Sequence, residues 1–455
     1  MGRNEINKMK DIISEKNIAK FNKNYTKSKK NDVVRHALTK TPLSDIAYNL
    51  DSYYSSDFNF SVDIKTLPVC NQKRSGRCWI FSASTVLREI IAKKLDIKGN
   101  FEISQNHIAF YDKLEKFNYY MENLIQLCLA GEAHDSRKVY FLLSTGVGDG
   151  GQWDMYTALV KKYGIVPKAV FDETEQSSST MLSTKLLNSN MRKFASEIYA
   201  MKKDKKGLEE MEDLKEEYME KVYSLLCSCF GIPVTKFDYE YTNNKGEHVH
   251  LKDMTPKSFF DAYVGEEIDE YVSLINAPTK DKKFYQTYNI DLVGNVLGAK
   301  PITHLNVPMD RMEELIIKQL KAGKVVWFGS DVSYYGDRIK GIWDDNLFDY
   351  KSMFDMEFKF DKEQMLDFHN SVMNHAMVLT GVNLIDDKPT KWKVENSWGK
   401  ENGFQGYYTM SESWFESFVY QAAIKKKYLN KKELSALEKE PVLLPPWDPF
   451  GTLAD

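Results

Sequence analysis

Cys78 heads the run CWIFSASTVLREII (78–91), and the residues that would turn such a thiol into a reagent stand far from it in the chain. After Cys78, the apolar positions Trp79, Ile80, Ala83, Val86, Leu87, Ile90 and Ile91 recur at helical spacing. That spacing predicts a buried helix with the thiol in its first turn. His375 opens HAMVLTGVNLI (375–385), and Asn396 lies in KWKVENSW (391–398). Both runs are β-branched and aromatic, with Gly and Asp/Asn punctuation, and read as strands. KVVWFGSDV (324–332) and GYYTMS (406–411) read the same way. Bringing the three residues together requires a helical half against a β-rich half, an α+β fold with a cleft between two lobes.

The chemistry of that cleft follows from the residue types. A thiol is a weak nucleophile until it ionises. Unpaired N–H groups and the macrodipole in the first turn of a helix favour the anion. A neighbouring imidazolium favours it further, so Cys78 and His375 are expected to form a thiolate–imidazolium pair. Asn396 would bond the other ring nitrogen and fix the tautomer. Gln72, just upstream of Cys78, would join the Cys78 N–H in stabilising an oxyanion. Trp398 would keep water from the His375–Asn396 bond. These residue types together indicate acyl transfer through a thioester.

Ser75-Gly76-Arg77-Cys78-Trp79 resembles the C-G-[SA]-C-[WY] signature of the papain-like cysteine peptidases. Two departures are informative. Ser75 replaces a cysteine that secreted relatives hold in a disulfide. The interval from 78 to 375 is 297 residues, against ~130–150 in the secreted enzymes. With Gln72, the run DGGQWDM (149–155), NHAM (374–377), ENSWG (395–399) and Trp447-Asp448-Pro449, the chain resembles the bleomycin hydrolase and aminopeptidase C branch. The resemblance implies a cytoplasmic homohexamer acting on peptides. It also implies that Gly150 and Gly151 bind substrate backbone, and that a C-terminal arm lies in the cleft. An arm ending in Asp455 would block long peptides and offer carboxylate to a substrate ammonium. Removal of single N-terminal residues would follow.

The expected organisation is a helical N-terminal extension (1–60), a helical lobe carrying the nucleophile (61–170) and a helical insertion (171–300) serving oligomerisation. A β-rich lobe (301–430) and an arm (431–455) complete it. The insertion accounts for the long Cys-to-His interval. The last stretch of the arm, EPVLLPPWDPFGTLAD (440–455), holds Pro441, Pro445, Pro446 and Pro449, so it is expected to be extended, and neither a helix nor a central strand.

The 455 residues carry a net charge of −3 and five cysteines. Nothing there drives the whole chain toward nucleic acid or an anionic membrane. Residues 1–40 hold eleven Lys/Arg against four Asp/Glu, read as a solvated helical face with nucleic-acid binding as the minor alternative. No apolar run is long enough to span a bilayer, and no secretory signal is recognised. Few and odd-numbered cysteines suit a reducing compartment, here the cytoplasm. Neither metal nor cofactor is expected. The Gly146–Gly151 loop lacks the Lys-Ser/Thr of a phosphate loop. Cys70, Cys128, Cys227 and Cys229 read as packing or inert residues. The alternatives to peptide hydrolysis are a cysteine acyltransferase using the same residues, and an assembly or nucleic-acid-binding subunit.

Overall fold

The computed structural model describes residues 13–454 and divides into two compact units. The smaller holds residues 13–55 and 346–359. Its helices are Glu15–Tyr25, Lys29–Leu38, Leu43–Ala47 and Leu50–Ser55. The first begins with a capping box, Ser14 and Asn17 satisfying each other's backbone N–H groups. The Asn49 N–H donates to Leu347 (2.9 Å) and the Asp349 N–H to Ala47 (2.8 Å). Tyr48 meets Phe348 edge-on. An N-terminal helical extension was expected; the part of it in residues 1–12 lies outside the described residues.

The larger unit, residues 56–345 and 360–454, is built on one mixed sheet of twelve strands. In chain order its strands are β1 (Val62–Asp63), β4 (Tyr271–Ile275), β5 (Thr287–Ile290), β6 (Thr303–Asn306) and β7 (Val326–Ser330). Then come β8 (Gly336–Asp337), β9 (Ile342–Trp343), β10 (His375–Ile385), β11 (Lys388–Glu395), β12 (Tyr407–Ser411), β13 (Val419–Lys425) and β14 (Val442–Leu444). Two further strands, β2 (Phe237–Thr242) and β3 (His248–Met254), form a separate hairpin. The sheet runs β14-β5-β6-β4-β13-β7-β10-β11-β12-β9-β8, with β1 laid against β10. Thus β10, which begins at His375, is held on both sides: His375 faces Ser330 of β7, and Val378 faces Glu395 of β11.

The helix Cys78–Leu95 packs across β10 and is buried on nearly every face. Burial all round is what a helix wedged between a sheet and other helices requires. Behind it lie Gln105–Leu129, Trp153–Tyr163, Met181–Lys203 and Leu208–Phe230. One apolar core fills this helical side; a second lies between the sheet and the helices Met309–Lys321 and Glu412–Phe418. Among the described residues no helix is long and apolar enough to cross a membrane.

Residues 171–300 differ from the helical expectation. They hold two long helices, but also the β2–β3 hairpin, and β4 and β5 of the main sheet. FDYEYT alternates buried or half-buried residues with exposed ones, a period-2 pattern masked by its charges. YVSLI is buried on both faces, and so short an apolar run carries no period that separates strand from helix. In the tail, β14 pairs in parallel with β5 at the edge of the sheet, just before Pro445 and Pro446. An edge is where a strand flanked by prolines fits.

Candidate active site

Cys78 is the first residue of its helix and has no solvent exposure. The Ile80 and Phe81 N–H groups both bond the Arg77 carbonyl. The helix supplies no carbonyl to the Cys78 and Trp79 N–H groups, whose partial positive charge favours sulfur as an anion. The Ala376 N–H donates to Cys78 Sγ at 3.4 Å. That contact sets the sulfur against the start of β10, one residue from His375.

His375 Nε2 lies 2.9 Å from Asn396 Oδ1, and the Ser397 N–H also donates to that oxygen at 2.8 Å. An oxygen so placed is an acceptor, so Nε2 carries the hydrogen and Nδ1 is left as the proton-accepting nitrogen. The Trp398 ring lies 4.7 Å from the imidazole, and the Arg338 guanidinium lies 4.2 Å over Trp398. Burial pushes the His375 imidazolium down to about 4; Arg338 pushes the same way and Asn396 opposes. His375 therefore does not hold a proton by itself at neutral pH. A thiolate beside the ring would favour its protonated form.

Gln72 shapes the turn before the helix. Its Nε2 donates to the Ser75 carbonyl (2.6 Å), its Oε1 accepts from Ser397 Oγ (2.5 Å), and its N–H donates to the Ser397 carbonyl (2.8 Å). An amide nitrogen carries two hydrogens, so one remains for a substrate oxygen. The turn is thereby tied to the residue following Asn396. Arg77, which replaces a small residue of the usual signature, is buried and paired with Glu173 (2.9 Å).

Gly150 and Gly151 lie close by, because Asp149 bridges to the same turn: the Gly76 N–H donates to its carboxylate at 2.9 Å. Gly151 packs on the Trp79 indole so closely that a Cβ there would sit 2.4 Å from the ring. Its backbone is already paired. The Gly151 N–H donates to the Ala454 carbonyl and the Ala454 N–H to the Gly151 carbonyl, both at 3.1 Å. The arm therefore runs antiparallel to this segment. Gln152 Nε2 clamps it through the carbonyls of Phe450 (3.0 Å) and Thr452 (2.7 Å). The Lys282–Asp448 ion pair (2.9 Å) and Arg137 stacked on Trp447 (3.7 Å) hold its base. Asp455, expected to meet the substrate ammonium, lies outside the described residues.

Several contributors have no counterpart in the sequence motifs. Ala376 acts through its backbone, which no side-chain pattern reveals. Arg88 sits ten residues after Cys78 on the same helix and forms a buried ion pair with Glu395 (2.6 Å), the neighbour of Asn396. Two lysines, Lys113 and Lys116, are buried within the helix Gln105–Leu129. Their signal is present in the sequence: both lie at helical spacing among Phe110, Phe117 and Tyr120, where solvated lysines do not belong. Among the described residues, Glu313, Glu412 and Glu416 are near enough to share an ion, but they belong to other helices and to no part of this site.

Comparison with known proteins agrees with this geometry. The model of the Peptidase C1-like family matches residues 12–451. Aminopeptidase C of Lactobacillus delbrueckii subsp. lactis is 43% identical over 449 residues, covering 98% of this chain and 99% of that one. Bleomycin hydrolase of Homo sapiens is 34% identical over 404 residues, covering 88% and 89%. The crystal structure of PepW from Lactobacillus rhamnosis HN001 superposes with a TM-score of 0.95 at 42% identity, over 98% of this chain and all of that one. With this fold and a family match over almost its whole length, the chain belongs to the Peptidase C1-like family and has a papain-like architecture.

Proposed function

We propose that this cysteine aminopeptidase removes residues one at a time from the N-terminus of peptides, with Cys78, His375, Asn396 and Gln72 as its catalytic residues. Its family and its aminopeptidase C relatives support the activity class. The observation that carries the finer reading is the antiparallel pairing of Gly151 with Ala454. Strand pairing is how extended peptides bind along an exposed backbone edge. Here the arm occupies that edge, so a substrate has room for only a short stretch on the acyl side of the thiol. Asp455 follows Ala454 in the sequence, and on this reading its carboxylate would meet the substrate ammonium.

Each step balances. The Cys78 thiolate attacks the carbonyl carbon of the first peptide bond, and charge develops on oxygen facing the Cys78 N–H and the Gln72 amide. The C–N bond breaks as His375 gives its proton from Nδ1 to the departing amine. Water then attacks the thioester, losing a proton to His375 Nδ1. The C–S bond breaks, the amino acid leaves, and the thiolate–imidazolium pair is restored. Trp398 covers the ring throughout. Human bleomycin hydrolase extends the proposal to bleomycin-like amides as further substrates.

A peptide of mixed sequence, incubated with the enzyme and followed by mass spectrometry, is expected to lose one N-terminal residue after another. Internal fragments would contradict the aminopeptidase reading. Amide adducts formed in place of free amino acids, when a second amine is added, would identify an acyltransferase instead.

A further inference from the structure

The residue after Gln152 borders a cavity that peptide hydrolysis does not use. Its volume is about 540 Å³, within the ~300–1,000 Å³ of small-molecule sites. Its walls are the helix Trp153–Tyr163, the segment 296–300 and the 3-10 turn Gly265–Glu270. Apolar surface comes from Ala158, Ile268, Tyr271, Val296 and Leu297. Cys78, Gln72, His375, Asn396 and the glycines at 150 and 151 take no part in its lining.

The polar groups of that lining are only partly matched. Lys161 pairs with Asp269 at 2.7 Å, and Lys162 with Glu115 at 2.5 Å. Lys300 and Lys426 are exposed and form no ion pair among the described residues. Asp154 is half-buried. One of its oxygens accepts from the Thr303 N–H at 2.8 Å, and the other has no donor among the described residues. Burial pushes this carboxyl up; the Thr303 N–H and the charge of Lys300 oppose. Trp153 is 1% exposed, and its Nε1 has no acceptor among the described residues. Native proteins rarely leave a buried donor so. The cavity thus holds a carboxylate, two lysines and an indole N–H, all without full partners.

We propose that this cavity is a second ligand site, taking a free α-amino acid with a large apolar side chain. A ligand with a carboxylate alone would meet repulsion from Asp154. A ligand with an ammonium alone would leave the lysines and the indole N–H unanswered. A zwitterion answers both. Its ammonium lies against Asp154, and its carboxylate is met by Lys300, Lys426 and the Trp153 N–H. Its side chain rests on Ile268, Tyr271 and Leu297. Removal of N-terminal residues releases such molecules. That the ligand is the enzyme's own product rests on the proposed function; the site itself does not.

Calorimetric titration of the full-length enzyme with L-phenylalanine is expected to show saturable binding, with Kd about 1 mM or tighter. 3-Phenylpropanoate and phenethylamine each lack one of the two charges and should bind about tenfold more weakly. Lys300→Met/Lys426→Met should weaken phenylalanine binding about tenfold. Asp154→Asn, which keeps an acceptor for the Thr303 N–H, should do the same. In these variants kcat/KM on a tripeptide should stay within about threefold of the wild type, which separates this site from product lodged in the cleft. Unchanged phenylalanine binding in the folded lysine variant would overturn the proposal. So would the lack of saturation, or 3-phenylpropanoate binding as tightly as phenylalanine. Failure of the aminopeptidase reading looks different: internal fragments would appear in the peptide digest while phenylalanine still bound.

Discussion

Replacing Cys78 with alanine is expected to lower kcat about a millionfold, to the background left by binding alone. The size follows from the mechanism, in which both covalent steps pass through this sulfur. The other buried thiols cannot stand in for it. Cys70 is buried beside Arg88, and burial pushes its thiol up to about 12. Cys128 lies in the helical core, bonded to the Ile198 carbonyl. Stability should change little, since the substitution removes one buried atom at a helix start, within about 1 kcal/mol of the wild type. Turnover of an aminoacyl arylamide and the thermal melting curve measure the two quantities separately. A variant that melts normally and keeps even a hundredth of its turnover would place the nucleophile elsewhere.

Shortening the chain after Gly451, so that Thr452 to Asp455 are lost, is expected to change what the enzyme accepts more than how fast it works. The Gly151 pairing and one of the two Gln152 bonds disappear. Phe450, whose ring lies near His304 and Tyr420, remains to keep the base of the arm in place. The vacated backbone edge can then pair with residues preceding the scissile bond. Loss of a charge contact to the substrate ammonium is worth one or more factors of ten. The preference for a free-amine substrate over its N-acetylated form should therefore fall at least tenfold, and internal cleavage should appear. Comparing kcat/KM for the two forms in both enzymes measures it. Unaltered selectivity would remove the arm from the mechanism.

The site was more legible in the sequence than the scaffold around it. Cys78, His375 and Asn396 each sit in a local pattern that states its own structure: a helical apolar period behind the thiol, and β-branched runs carrying the other two. The structure places all three on one buried junction, with Gln72 and Trp398 beside them. What escaped were features made by distant contacts. The strands β4 and β5 are short, and belong to the sheet only because β6 and β13 accept them. Residues 346–359 join the N-terminal helices by a return of the chain that no local period announces. Arg88 and Glu395, Lys116 and Asp112 are ordinary charged residues until burial pairs them. The substrate-binding part of Gly150 and Gly151 was expected from resemblance, and the pairing of Gly151 with Ala454 supplies a physical basis for proposing it.

Catalysis on this account depends on the sulfur at 78 and the ring at 375 holding their charges jointly. Burial alone would leave His375 neutral above about pH 4, and a thiol without its partner ionises near ~8.5. The direct measurement is the rate of iodoacetamide alkylation of Cys78 against pH, in the wild type and in His375→Ala. Rapid alkylation of the wild type is expected from about pH 5 upward. In the variant the same rise should move above about pH 8, because a thiolate without the imidazolium lacks its counter-charge. Superimposable profiles for the two proteins would contradict it.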